Sequence, residues 1–260
     1  MTRVVKIGGR AQQAAELVPV LAATWREMRG ALVIVHGGGN EVTELQRLMG
    51  REPQFVDGRR VTTEDDIALL RMTLSGVVNK RLVAALVGAG VPAVGISGED
   101  AAVLSAVQMD RTMGRTGQPE AVNATLVSHL LAGGFLPVIS PIARDASSNG
   151  ADAFNVNGDD AAAAVAVALG ATELLLVADV PGVLDAGRPV SSLGGDAVRA
   201  LVASGTVTDG MIAKLEAAVY ALTGGVPLVR IGDLTAVVDD SFGTRIIASS
   251  VSQSLSPAFA

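Results

Sequence analysis

Lys6 interrupts an apolar run formed by Val4, Val5 and Ile7, and Gly8 and Gly9 follow it directly. An ammonium among core strand residues carries a desolvation cost unless it meets an anion, although its stem can also pack while the head reaches water. A second cation, Lys214, comes shortly after Asp209, Gly210 and Met211 at what reads as a helix start, where a solvated surface lysine is the plainer account. His36-Gly37-Gly38-Gly39 closes a β-branched apolar stretch and opens a helical pattern. Backbone amides at such a junction can turn into one concavity that cradles phosphate, and a ligand-free tight turn has the same sequence. Asn155 and Asn157 alternate on an extended segment, which puts both amides on one face, suited to a ligand carbonyl or carboxylate. Asp159 and Asp160 follow, either of them able to cap the alanine-rich helix beyond. Arg59 and Arg60, after Asp57-Gly58, are an exposed hairpin tip or a bidentate anchor for an acid.

Other chemistries lack parts. The two histidines, His36 and His129, are too few and too unrelated for a metal site or a triad, and neither G-x-x-x-x-G-K-[ST] nor G-x-S-x-G occurs. Residues 88–93 (GAGVPA) match the dinucleotide fingerprint in letters, but they follow a helix and lead into a strand, the reverse of what it needs. Zero cysteines exclude disulfides and thiolate metal ligands and suit a reducing cytoplasm. A net charge of −6 with no basic run argues against nucleic acid, so anions must be held by a few placed cations and amides. No window reaches the roughly 18 apolar residues of a membrane span. The opening run, ended by Lys6, is too short for a signal peptide.

The elements that must position these residues alternate in type. Hydrophobic residues are 49% and aromatic residues only 3%, which gives an aliphatic core suited to a buried parallel sheet. Strands are expected at 4–7, 31–36, 93–96, 136–139, 173–178, 226–231 and 236–238, with a hairpin at 53–63. Helices are expected at 12–28, 41–50, 122–132, 161–169 and 196–204, with another that starts near Lys214 and runs to 222. A further helix starts after Thr63, with Asp66 at capping distance, and runs to about Leu86, with Gly76 a possible break. Residues 104–116 read as irregular or a strand pair, 143–150 and 187–195 as loops, and the tail from 249 as frayed. A seam is expected after Gly170, giving an amino-terminal lobe, 1–170, and a carboxy-terminal lobe, 171–260.

Taken in order, KIGG, VIVHGGGNEV, FVDGRRVT, VNKRLV, VGISGED, NVNGDDAA, VADVPGVLD and TDGMIAKL resemble the amino-acid kinase family from Val4 to about Ile247. The resemblance implies an α/β fold, a three-layer αβα sandwich around a mostly parallel sheet of the carbamate kinase-like kind. It implies that the first lobe binds an acyl amino acid and mediates dimerisation while the second binds ATP. The γ-phosphoryl group would pass to a side-chain carboxylate, with N-acetyl-L-glutamate the expected substrate and arginine biosynthesis the setting. It assigns Lys6, Lys214 and Asp159 to catalysis, the aspartate steadying both lysines. Gly8, Gly9, Gly37 and Gly38 would surround the phosphate, Gly37 and Gly38 also bordering the acid, with Arg60, Asn155 and Asn157 binding it. Asp179, Val180, Gly182, Leu184, Asp209, Gly210 and Met211 would form the nucleotide site. Mg2+ would ride mainly on the ATP phosphates, with no dedicated protein ligands.

Two positions depart from the family pattern. Arg10 follows the first Gly-Gly where small or apolar residues are usual, and Asp160 places a second negative charge beside Asp159. Arginine-inhibited members carry an extra amino-terminal helix; none is seen before Val4, and an arginine-insensitive cytoplasmic homodimer is expected. The rivals are a kinase for carrier-bound aminoadipate or glutamate and a non-catalytic amino-acid sensor.

Overall fold

The computed structural model describes residues 2–185, 187–203, 205, 207 and 209–247, the Asp209 side chain excepted. The expected frayed tail from 249 lies outside them. β1 (Arg3–Ile7) is the central strand, with Val4, Val5 and Ile7 fully buried. A 3-10 turn, Gly9–Gln13, follows it, and α1 (Leu17–Glu27) starts later than expected. Ala14 is extended (φ −68°, ψ 133°), and Pro19 falls in the first turn of α1, where its missing N–H has no helical partner to lose. β2 (Leu32–His36) then runs through the Gly37-Gly38 turn into α2 (Gly39–Leu48). β3 (Phe55–Val56) and β4 (Arg59–Arg60) form the expected hairpin; Asp57 and Gly58, at φ 47° and 74°, make its tight turn.

α3 (Glu64–Leu70) opens on a capping box in which the Thr63 hydroxyl accepts the Asp66 amide and the Asp66 carboxylate accepts the Thr63 amide. Gly76 does not break the helical path. Residues Arg71–Val78 widen into a π-helix that passes directly into α4 (Asn79–Gly88), and the widened turn seats Leu74 and Val78 against Gly38.

β5 (Ala93–Ser97), β6 (Leu104–Gln108) and β7 (Thr116–Val122) precede α5 (Thr125–Ala132), which begins later than expected because β7 holds Val122. β8 (Leu136–Ser140) is followed by β9 (Ile142–Asp145), in a stretch expected to be loop, and by β10 (Ala153–Val156). α6 (Gly158–Ala168) starts three residues early, with Asn157 as its cap and both Asp159 and Asp160 inside its first turn. After β11 (Glu173–Val177) come the short strands β12 (Leu184–Asp185), β13 (Arg188–Pro189) and β14 (Ser192–Gly194), the last two within an expected loop. α7 (Gly195–Ala203), α8 (Asp209–Thr223), β15 (Leu228–Gly232), α9 (Thr235–Val238) and β16 (Thr244–Ile247) complete the described chain. Residues 236–238 are therefore helix rather than strand; Ala236 and Val237 turn inward and pack on Gly232 and the α1 face.

Eight strands form one sheet in the order β14-β16-β15-β11-β1-β2-β8-β5, parallel except where β16 meets β15. Alternate residues serve its two faces. Val4, Val33, Val35, Leu174 and Leu176 pack toward α5, α6 and α8, whereas Val5, Ile7, Leu32, Ile34 and Leu175 pack toward α1, α4 and α9. β10, β7, β6 and β9 close into a small barrel beside α6. The main sheet is continuous across Gly170, since β11 pairs directly with β1. No helix among the described residues is long and apolar enough to cross a membrane.

Candidate active site

Parallel strands β1, β2 and β11 lie side by side, so the loops after their carboxyl ends share one edge of the sheet. Lys6, at the end of β1, is only 6% exposed, and its Nζ lies 3.0 Å from Asp159 Oδ1. Lys214, in the second turn of α8, donates to both Asp159 oxygens at 3.0 Å. One carboxylate in the first turn of α6 thus gathers two ammonium groups from opposite ends of the sequence. Burial pushes Lys6 down to about 8, with Asp159 opposing and Lys214 adding to that drop. Burial alone would raise Asp159, but Lys214 and Lys6 outweigh it and hold the carboxyl below its ordinary value.

Glycines leave this cluster room. A Cβ on Gly8 would collide with Lys6 Nζ, and one on Gly158 would lie 3.0 Å from Lys6 Cε. Gly38, at φ 151°, is held where a Cβ would meet Leu74 Cδ2 at 2.6 Å. Gly37 plays another part: its amide donates to the Ile7 carbonyl at 2.8 Å, so it continues the β1–β2 ladder instead of pointing at a phosphate. The Gly38 cap position carries no side-chain cap, which leaves the first turn of α2 open to an anion.

Beneath this turn His36 is fully buried, and burial pushes it down to about 4, so the ring is neutral. Nδ1 lies 2.6 Å from the Gly37 carbonyl, which can only accept; Nδ1 therefore carries the hydrogen. Nε2 then accepts from Asn79 Nδ2 at 3.0 Å, and Asn79 also donates to the Val138 carbonyl. The histidine that sequence reading set aside thus anchors the glycine turn to α4 and β8.

A cleft of about 130 Å³ opens beside these groups, bordered by Gly38, Arg60, Leu74, Asn155 and Asn157. Arg60 is 7% exposed, with its ring neighbour Phe55 4.6 Å below the guanidinium. Its hydrogen bonds go to neutral acceptors: the Gly39 carbonyl, the Thr43 hydroxyl and the Gln46 side chain. It makes no ion pair among the described residues, and burial pulls it down to about 10. Gln46 is itself held by Asp66, which also pairs with Arg51, so Arg60 rests on a braced helix. Asn155 donates to Thr62 Oγ1 at 3.0 Å. The Asn157 carbonyl oxygen accepts the Asp159 amide at 2.8 Å, so its capping duty leaves only its amide nitrogen for a ligand.

On the other side, Asp179 follows β11 and accepts the Arg10 amide at 3.0 Å and Arg10 Nε at 3.3 Å. Arg10, the first departure, ties the first glycine turn to the Asp179 loop. Val180 is partly buried in that loop, and Gly182 packs on Thr244, whose hydroxyl accepts the Val183 amide at 2.9 Å. Leu184 lies in β12, and Gly210 and Met211 form the first turn of α8 with Lys214 one turn on. The Asp209 side chain lies outside the described residues. Asp160, the second departure, does not face the lysines: it takes Arg59 Nε at 3.1 Å and Nη2 at 3.2 Å. Burial pushes Asp160 up to about 6 against the pull of Arg59, so it is still ionised at neutral pH. No residue-level signal pointed to this pair or to the His36 anchor, because the partners are distant in sequence.

A three-layer α/β fold that gathers two lysines on one carboxylate beside glycine turns, with a hairpin arginine that has no ion pair among the described residues, defines a protein built to bring anions together. The Amino acid kinase family model matches residues 1–233, and the chain belongs to that family. It is 42% identical over 249 residues to acetylglutamate kinase from Roseiflexus sp. (strain RS-1), covering 95% of this chain and 93% of the relative. Among solved structures it resembles smu.665 from Streptococcus mutans UA159, with a TM-score of 0.82 and 32% identity over 89% of this chain and 94% of that one. A carbamate kinase from Giardia lamblia bound to citric acid shares the fold, with a TM-score of 0.69 and 16% identity over 95% and 98% of the two chains.

Proposed function

We propose that the chain catalyses ATP-dependent phosphorylation of N-acetyl-L-glutamate on its side-chain carboxylate, giving N-acetyl-L-glutamyl 5-phosphate and ADP in arginine biosynthesis. The observation that carries this reading is the pair of ammonium groups on Asp159, set beside a cleft whose Arg60 has no carboxylate partner among the described residues. The name of the Roseiflexus relative supports the choice of acid.

A glutamate side chain has an ordinary pKa of about 4.3, so the nucleophile is already ionised at neutral pH and needs no general base. One carboxylate oxygen attacks the γ-phosphorus as the bond to the bridging β–γ oxygen breaks, and ADP leaves with that electron pair. What the protein must supply is alignment and cover for negative charge. Lys6 and Lys214 take that part from two sides, Asp159 holding them there. The amide of Gly8 and the open first turn of α2 at Gly38 serve the phosphoryl group, with Gly9 shaping its turn. Arg60 pairs with the α-carboxylate, and Asn155 and the amide nitrogen of Asn157 receive the acetamido end. The Asp179–Leu184 loop and the start of α8 at Asp209, Gly210 and Met211 hold the nucleotide. ATP would bring Mg2+ on its phosphates, since that ion keeps most of its waters and takes few protein ligands. In this reading the first lobe, 1–170, serves the acid and the dimer contact, and the second, 171–260, serves ATP. The working form is a cytoplasmic homodimer.

The test is coupled ADP release with N-acetyl-L-glutamate, glutamate, aspartate and aminoadipate derivatives. Turnover is expected on N-acetyl-L-glutamate well above the others; preference for an aminoadipate derivative, or ATP binding without turnover on any acid, would overturn the assignment.

A further inference from the structure

Arg59 has no part in the chemistry above, yet it is one of the most enclosed charges near the cleft, at 7% exposure. It leaves β4 on the face opposite Arg60, as neighbouring strand residues do. Its guanidinium meets Asp160 through two bonds and Glu216 Oε2 at 3.0 Å, so it joins the hairpin to α6 and α8 together. Burial works against its charge, but the two carboxylates outweigh that and hold it above the ordinary arginine value. Each member of this bridge adjoins a residue of the candidate site. Arg59 precedes Arg60, Asp160 follows Asp159, and Glu216 lies two positions beyond Lys214. The space beside the bridge, bordered by Pro119, Asp160, Glu216 and Tyr220, is about 10 Å³, which leaves no room for a ligand. A buried ion network contributes little stability compared with a packed apolar replacement, so stability is a weak reason for building this one.

We propose that Arg59 is a positioning residue that couples the two substrate pockets. Through Asp160 and Glu216 it holds the acid-side hairpin in register with the helix that carries Lys214, so filling either pocket strengthens binding in the other. This rests on the assignment of Arg60 to the acid and Lys214 to the nucleotide phosphates. The two arms of the bridge can be cut separately. Glu216 is half-exposed, and Glu216→Ala removes only the α8 arm while leaving the buried pair intact. Arg59→Met with Asp160→Asn removes the pair without stranding a buried charge.

The experiment is calorimetric titration of the full chain with N-acetyl-L-glutamate and with Mg2+ and AMP-PNP, each alone and with the other saturating. In the unaltered protein each ligand should bind about tenfold more tightly when the other is present, within the usual range of coupling between sites. In Glu216→Ala and in the double variant that ratio should fall below about twofold. Each ligand alone should still bind within about threefold of the unaltered protein, and kcat should drop more than the melting temperature explains. Coupling of full size in Glu216→Ala, or none in the unaltered protein, overturns the proposal; if the double variant fails to fold, Glu216→Ala alone decides. The substrate reading fails separately: it falls if the unaltered protein does not phosphorylate N-acetyl-L-glutamate, whereas normal turnover with undiminished coupling in the variants removes only Arg59.

Discussion

Lys6, Asp159 and Lys214 meet at hydrogen-bond distance, and their environment makes the cluster sensitive to pH in a definite direction. Lys6 titrates near 8, so the protonated form that faces an anion is lost as the pH rises through that value. The kcat/KM profile of the unaltered protein should therefore fall on its basic side around pH 8, and Lys6→Arg, whose guanidinium keeps its proton, should retain whatever activity it has across that range. A basic limb unchanged in Lys6→Arg would assign it elsewhere. The same shift acts on folding. The unfolded chain binds this proton more tightly, so Lys6 opposes folding fully below about pH 8 and ceases to do so as the pH passes 10.5. Lys6 was legible because a lysine inside an apolar strand is locally out of place, whereas Asp159 read equally as a helix cap and Lys214 as a surface lysine, and only the family resemblance joined the three. The Arg59–Asp160 pair was not legible: each residue stood out singly, but they are 101 positions apart and nothing in the sequence joins them.

Elements follow the same division. The Thr63 cap, the Asp57-Gly58 turn and the strands of the sheet centre were readable because their signals lie within a few residues. β9 and β14 were read as loop because most of their residues are polar or small, with one large apolar side chain each, and they become strands by pairing with β10 and β6, and with β16. The π-helical stretch was equally hidden: Gly76 looked like a possible break in a helix reaching Leu86, whereas the path stays helical and widens where it packs against Gly38. That contact gives a prediction for the glycine turn. Gly38→Ala adds a methyl at φ 151° and 2.6 Å from Leu74 Cδ2, so either the turn or the π-helix must shift. Activity should drop by at least about 100-fold, since a small misplacement of positioned groups is that costly. Adding Leu74→Ala relieves the contact but not the backbone, so it should restore thermal stability more than turnover. Near-normal turnover in Gly38→Ala would show that the turn does not position the reacting group.

The molecule as a whole is held at the end remote from the cleft by a second charged network. Arg230, fully buried on β15, binds Glu173 of β11, Asp240 and the carbonyls of Asp239 and Phe242, and Arg3 of β1 joins Glu173 from the other side. Three adjacent strands are clamped there without touching the site. Arg230→Met should lower stability by on the order of 3 kcal/mol, because it strips a partner from a buried carboxylate, and denaturant titration would measure it. Substrate KM values should stay unchanged below the melting transition; a KM shift would link the clamp to the site. The layered plan and mostly parallel sheet were legible from alternating apolar patterns, but the strand order was not, because adjacency in the sheet leaves no mark on either strand.

That adjacency has a consequence for how the chain can come apart. β1 and β11 share a ladder although the two proposed lobes meet between them in sequence. A nick after Gly170 would expose an apolar strand flank on each piece, so neither half should survive as a separate folded body. Mixed together, the halves should reassemble, and the intact chain should melt in one calorimetric step instead of two.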